Sequence, residues 1–320
     1  VDDYFKDWLS VIDGMNNENT YKLAWGRAII ELCHSFDVVE GVPTVFTFEQ
    51  IGEYVLKYFW NQTYFFKLYQ GPAKTKPKIQ QITEEIIEYY QSLTQSKIPD
   101  WFDKSKPILI RDKVKYNRFL KEISTALKQD VCWRFTKVGE ENIDLYKLDK
   151  DRRIIELTHH QHTILKEHAF VLSQLLNYRW AQLLEKFNQS PRIALKVKGS
   201  TDEKIRRNNL SKFKHALLKQ FPDGIVRDFY TDEILDSNDI SIDHVIPWSF
   251  MYSDDIWNLV ITSKSKNSSK SNSVVNEEYI KKLKDRNSEL IKYTDEHYRL
   301  ELLEANENMF IDKFYYQFKV

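Results

Sequence analysis

Apolar residues recur at helical spacing through most of the first 190 positions, and that periodicity limits the fold more than any other feature. Thr47-Phe48-Glu49-Gln50 has the spacing of a capping box, and Ile51, Tyr54, Val55, Tyr58 and Phe59 follow on one helical face. Tyr21 to Cys33, Ile79 to Leu93 and Val114 to Leu127 repeat the pattern, and Gly71 to Lys78, with two prolines and three lysines, reads as a loop between helices. The period then changes. Val131 to Phe135, Ile143 to Leu148 and Ile154 to Leu157 read as short strands, turned at Asp149-Lys150-Asp151, and helices followed by a small hairpin are compatible with a winged-helix arrangement. A long helix is expected over Thr163 to Phe187, ending before Pro191. His159, His160 and His162 beside Thr158 have no acid or cysteine at metal spacing, which favours a polar helix start.

The chain has 320 residues, ample for a large core in one or two domains, with 42% hydrophobic and 29% charged residues. Two cysteines, Cys33 and Cys132, make no disulfide framework, and apolar neighbours suggest buried thiols in a reducing compartment. The first residues are acidic with no signal-peptide core behind them, and no stretch has the roughly 20 apolar residues of a membrane helix. The expected location is the cytoplasm.

Basic and acidic residues balance at 47 each. That excludes a uniformly basic coat for nucleic acid, but the charge is laid out in blocks. Lys196 to Gln220 holds eight cations against two acids, Phe221 to Val260 one against nine, and Ile261 to Lys292 eight against four. A charge run by itself is usually a solvated face. Here the blocks bracket a set of chemically competent side chains.

The acidic block ends in Ser241-Ile242-Asp243-His244-Val245-Ile246-Pro247-Trp248-Ser249-Phe250. Asp254-Asp255-Ile256-Trp257-Asn258-Leu259-Val260 follows, then Lys266-Asn267-Ser268-Ser269-Lys270-Ser271-Asn272. These residues resemble the HNH (ββα-metal) nucleases, in which a strand carrying Asp-His precedes an Asn-bearing loop and a helix with Asn or His. The spacing is especially similar to the HNH domain of RNA-guided CRISPR effector nucleases, and Asp243, His244, Asn258, Asn267 and Lys270 fall at motif positions without insertion or deletion. The wording around them is similar to a broad group of prokaryotic HNH proteins with helical N-terminal regions, many associated with restriction or phage defence.

The resemblance implies an α+β protein and metal-dependent cleavage of DNA. Asp243 and the amide oxygen of Asn267 are hard ligands suited to one Mg²⁺ or Mn²⁺. Adjacent strand residues leave opposite faces, so Asp243 and His244 do not both bind one ion on a flat strand. By resemblance His244 is the general base, Asn258 pins the loop and orients His244, and Lys270, three residues after Asn267, contacts a phosphate. Lys196, Lys198, Lys204, Arg206, Arg207, Lys212, Lys214, Lys264 and Lys266 are the candidate nucleic-acid contacts. Many relatives brace the motif with a structural zinc held by two CxxC pairs. The matching positions here are Asp228, Thr231, Ser263 and Lys266, so no structural zinc is expected, and Phe229, Tyr230, Trp248, Phe250 and Trp257 are expected to hold the unit by packing.

The expected organisation is a mainly helical recognition or partner domain over 1–195 and an HNH nuclease domain over 196–320, with its core at 225–290. The expected partners are DNA, with a homodimer or a partner defence protein as further options, and no membrane. The competing reading is a catalytically silent DNA-binding or partner-docking subunit.

Overall fold

The periodic segments fold as helices whose ends follow their capping chemistry. The computed structural model describes residues 2–72, 75–188, 190–201, 208–270 and 276–319. Its residues group into two compact units, one of Val1–Asn188 with Ile193–Glu203, the other of Gln189–Arg192 with Lys204–Val320. The class is α+β.

In the first unit the chain runs α1 (Asp3–Gly14), α2 (Tyr21–Ser35), β1 (Thr44–Thr47), α3 (Phe48–Trp60), a π-helical turn (Asn61–Phe65), α4 (Lys78–Thr94), α5 (Phe102–Leu109) and α6 (Lys113–Asp130). It continues through β2 (Lys137–Val138), β3 (Glu141–Asn142), β4 (Lys147–Asp149), β5 (Ile154–Leu157), α7 (His159–Glu167), α8 (Ala169–Phe187) and α9 (Ile193–Thr201). The buried side includes Trp8, Trp25, Trp60 and Trp180. Trp25 meets Phe48 edge-on with ring centroids 5.2 Å apart, and its indole N–H donates to Tyr146 Oη at 3.0 Å. Such pairs satisfy the polar tip of an aromatic while burying its body. Both cysteines are buried free thiols.

The expected capping box starts α3: Gln50 N–H donates to Thr47 Oγ1 at 3.1 Å, and Thr47 N–H to Gln50 Oε1 at 2.8 Å. Thr47→Ala removes one of these bonds and should cost about 1 kcal/mol. Thermal unfolding would register that as a lowered Tm; an unchanged Tm would show that tertiary packing alone fixes this helix start.

Three expectations change. Val131 to Phe135 is a turn rather than a strand, because Val131 N–H and Cys132 N–H both reach back to Leu127 O and Phe135 N–H bonds Val131 O at 2.9 Å. A short apolar run marks burial, and its period does not distinguish a strand from a buried turn. The helix expected from Thr163 begins at His159 under a second capping box, Thr158 with Gln161, and breaks at His168. Of the three histidines at its start, His162 is buried, its ring bonded to Thr44 Oγ1 at 2.7 Å and Cys33 O at 2.9 Å. The third change is in the sheet. Strands β4 and β5 pair antiparallel, but β1 adds to the other side of β5, giving the order β1-β5-β4.

The second unit contains α10 (Ser211–Leu218), β6 (Ile240–His244), α11 (Trp248–Met251), a 3₁₀ turn (Ile256–Asn258), β7 (Leu259–Ser263) and α12 (Lys264–Lys270). Helices α13 (Glu277–Leu290), α14 (Glu296–Glu307) and α15 (Phe310–Lys319) complete it. Strands β6 and β7 are antiparallel, with Asp243 opposite Val260 and His244 opposite Leu259. Phe229, Tyr230, Phe250 and Trp257 enter one apolar core with Val260, Ile261, Leu283, Leu302 and Tyr315. Trp257 stacks on Phe314, centroids 5.9 Å apart, while Trp248 is buried against Tyr252 at 4.6 Å.

The division expected at 195/196 falls inside α9, which clusters with the first unit. Among the described residues no helix is long and apolar enough to cross a membrane.

Candidate active site in a ββα unit

Strand β6 delivers Asp243 and His244 to one end of the two-stranded ladder, and α12 follows directly from β7. Asn267, on α12, donates through Nδ2 to Ser241 Oγ at 2.8 Å and to Ile242 O at 3.2 Å. These bonds seat the helix on the strand beside Asp243. They also consume the amide nitrogen, leaving Oδ1 without a hydrogen bond to any described residue.

Asp243 is 9% exposed, and its Oδ2 accepts from Tyr230 Oη at 2.6 Å and from Lys270 Nζ at 2.7 Å. Lys270 also donates to His244 O at 2.5 Å and Val245 O at 3.2 Å, and lies over the Tyr230 ring. Burial lowers the Lys270 pKa, against the opposing pull of Asp243. Burial and the Asp243 charge both drive the Tyr230 hydroxyl far above its ordinary value, so it stays a neutral donor.

The surroundings of Asp243 therefore accept positive charge. A carboxylate oxygen and two carbonyl oxygens already surround an ammonium, and Asn267, docked on the same strand, carries a further amide oxygen. This oxygen donor set suits a small divalent cation that keeps water and substrate oxygens as its remaining ligands. Among the described residues no group of three or more His, Cys, Asp and Glu side chains could hold a metal ion. Asp243 and Asn267 would hold it with oxygens from outside the protein.

His244 is 7% exposed, and its Nε2 lies 3.0 Å from Asp254 Oδ1. Asp254 Oδ2 accepts from Asn208 Nδ2 at 3.0 Å. Neither Asp254 nor Asn208 was expected at the site. The turn after α11 brings Asp254 back: Tyr252 adopts φ 55° and reverses the chain. Asn258 was expected to orient His244. Its side chain instead accepts from Ile246 N–H and donates to Ile246 O, both at 2.8 Å, and makes no hydrogen bond to the imidazole. A planar amide that matches both backbone groups of one residue grips the loop through both its oxygen and its nitrogen. Helix α13 secures that loop from behind. Asn287 Nδ2 donates to Trp257 O at 2.9 Å, and the guanidinium of buried Arg286, its pKa pulled down to about 9 by desolvation, donates to Ile256 O and Trp257 O.

Asp228 stands at one of the positions where relatives place a zinc-binding cysteine. It is 1% exposed and accepts from Tyr230 N–H at 2.8 Å, Thr231 N–H at 3.2 Å, Thr262 Oγ1 at 2.9 Å and Ser263 N–H at 2.7 Å. One carboxylate thus joins the 228–231 loop to the end of β7.

The candidate nucleic-acid contacts are not equivalent. Lys196 is fully buried on the inner face of α9 with Ile193, Val197 and Ser200, and desolvation pulls its pKa down to about 7. It presents no ammonium to a phosphate, which corrects that expectation. Lys198, Lys212 and Lys264 are exposed, while Lys214 and Lys266 are half-buried. Lys204, Arg206 and Arg207 lie outside the described residues.

The strand–loop–strand–helix unit carries the Asp-His pair at one end of its two-stranded ladder. Residues 228–275 match the family model described as HNH endonuclease, so the chain carries an HNH-family domain. No solved structure matches the chain significantly.

Proposed function

We propose that the protein is a metal-dependent DNA endonuclease that hydrolyses phosphodiester bonds at Asp243, His244 and Asn267. The observation that carries this reading is the docking of Asn267 on β6 beside Asp243, with its amide nitrogen engaged and its oxygen in no hydrogen bond to a described residue. A bound Mg²⁺ or Mn²⁺ would supply Lewis-acid stabilisation of the charge that builds on the phosphoryl and leaving oxygens. Asp243 and Asn267 would hold the cation. His244 takes the proton of the attacking water as its oxygen bonds to phosphorus. The bond from phosphorus to the 3′-oxygen breaks, and that oxygen leaves with the electron pair and takes up a proton from solvent. Lys270, three residues beyond Asn267, places a cation where it can pass from Asp243 to a substrate phosphate.

The setting we propose is restriction or anti-phage defence, supported by the similarity of the motif wording to prokaryotic proteins of that kind. Phosphate contacts by Lys198, Lys212, Lys214, Lys264 and Lys266 would be sequence-independent, so target choice falls to other parts of the molecule. A single site cuts one strand per event, and double-strand cleavage would require a dimer or sequential nicking.

Supercoiled plasmid, linear duplex and single-stranded DNA, each unmodified, methylated, hydroxymethylated or phosphorothioated, provide the test. Cutting of at least one substrate with Mg²⁺ or Mn²⁺, abolished by chelator, is the expected result. Binding without cutting on every substrate would favour the silent-subunit reading.

A further inference from the structure

We propose that Asp254, anchored by Asn208, is the positioning residue that fixes the tautomer and orientation of the His244 imidazole. The inference rests on the reading of His244 as general base for its catalytic meaning, but the structural assignment stands by itself. One Asp254 oxygen lies 3.0 Å from His244 Nε2, and the other accepts from Asn208 Nδ2 at 3.0 Å. The His244 and Asp254 side chains are 8% and 7% exposed, so water competes little for this contact.

A carboxylate is an acceptor only, and Asp254 is held in that form. The hydrogen bond from His244 lowers its pKa most; burial opposes, and Asn208 and the nearby Lys212 charge add to the lowering. Its partner nitrogen must therefore carry a hydrogen. With Nε2 as the donor, a neutral imidazole keeps its lone pair on Nδ1. Nδ1 makes no hydrogen bond to any described residue, so it is the nitrogen that can take a proton from water. Asn258 does not compete for this role, since both ends of its amide are bonded to Ile246.

The arrangement also explains a costly local feature. Tyr252 occupies left-handed backbone space without being glycine, and its ring packs on Trp248 at 4.6 Å. That reversal returns the chain so that Asp254, ten residues after His244, reaches the imidazole.

The test uses the full chain with ¹⁵N-labelled histidine, metal-free, at a pH where imidazole is neutral. The His244 signals are identified by their absence from His244→Gln. The wild type should show a single Nε2-protonated tautomer, and Asp254→Ala should give a mixture of tautomers at an unchanged Tm. Asn208→Ala, at an exposed position, should shift the signals the same way and serves if Asp254→Ala does not fold. On DNA, Asp254→Ala should lower kcat roughly ten- to hundredfold with unchanged DNA affinity. An Nδ1-protonated wild type, or the same tautomer and kcat in both variants as in the wild type, would overturn the proposal. If the tautomer responds as expected but no protein cuts DNA, the positioning assignment holds and the nuclease reading fails.

Discussion

His244→Ala should abolish DNA cleavage while leaving DNA binding intact. A positioned general base contributes about 10²- to 10⁴-fold, so the residual rate should fall at least about a hundredfold. The loss should not come from misfolding. His244 contributes backbone pairing to the β6–β7 ladder through Leu259, which alanine preserves, and its side chain bonds only Asp254 among the described residues. Cleavage under single-turnover conditions, with affinity measured in parallel, checks this. A variant that cuts as fast as the wild type would remove His244 from the reaction.

Asp228→Ala should give the largest loss of stability in the second unit. Four donors, three of them backbone N–H groups, converge on this carboxylate, and alanine removes the acceptor from all four, of which Tyr230 N–H and Thr262 Oγ1 are buried. A cost of about 3 kcal/mol is expected, or a Tm lower by roughly 10 °C for the transition of this unit. Burial pushes the Asp228 pKa up, but the bonds from Ser263, Tyr230, Thr262 and Thr231 prevail and hold it below the ordinary value of 3.8. The sign follows from linkage. The contribution is complete above 3.8 and is lost as pH falls through the lower folded value, so wild type and variant should converge in stability in strong acid. Equal stability at neutral pH would contradict the role of Asp228 as the tie between the 228–231 loop and β7. The same change should disturb Tyr230, whose N–H bonds Asp228 and whose hydroxyl bonds Asp243.

The legible parts of this molecule are those written in local periodicity and spacing. Helices α2, α3, α4 and α6 follow from apolar residues on one face, and the α3 start from Thr47 and Gln50. The ββα unit is legible for another reason: Asp243, His244, Asn258 and Asn267 lie within one short stretch that runs through strand, turn and helix. The missed features depend on long-range pairing or on the path of a turn. Strand β1 is only Thr44–Thr47, and it is a strand because β5 offers an edge far along the chain. Asp254 reads as one acid among several in a loop until the Tyr252 reversal carries it to His244.

Lys196 lies in the basic block of the sequence, yet Ile193, Lys196, Val197 and Ser200 are spaced as one helical face, and that face is buried. Helix periodicity outweighs charge in deciding which way a side chain points, since long aliphatic stems pack readily among apolar neighbours.

Hydrolysis at Asp243 and Asn267 that releases the 3′-oxygen leaves its signature in the DNA ends. The direct measurement compares wild type and Asp243→Ala on end-labelled DNA with Mn²⁺ or Mg²⁺ and identifies the ends produced. The wild type should leave 3′-hydroxyl and 5′-phosphate ends, lost in chelator and absent from the variant. Equal cutting by both proteins, or ends carrying a 3′-phosphate, would contradict it.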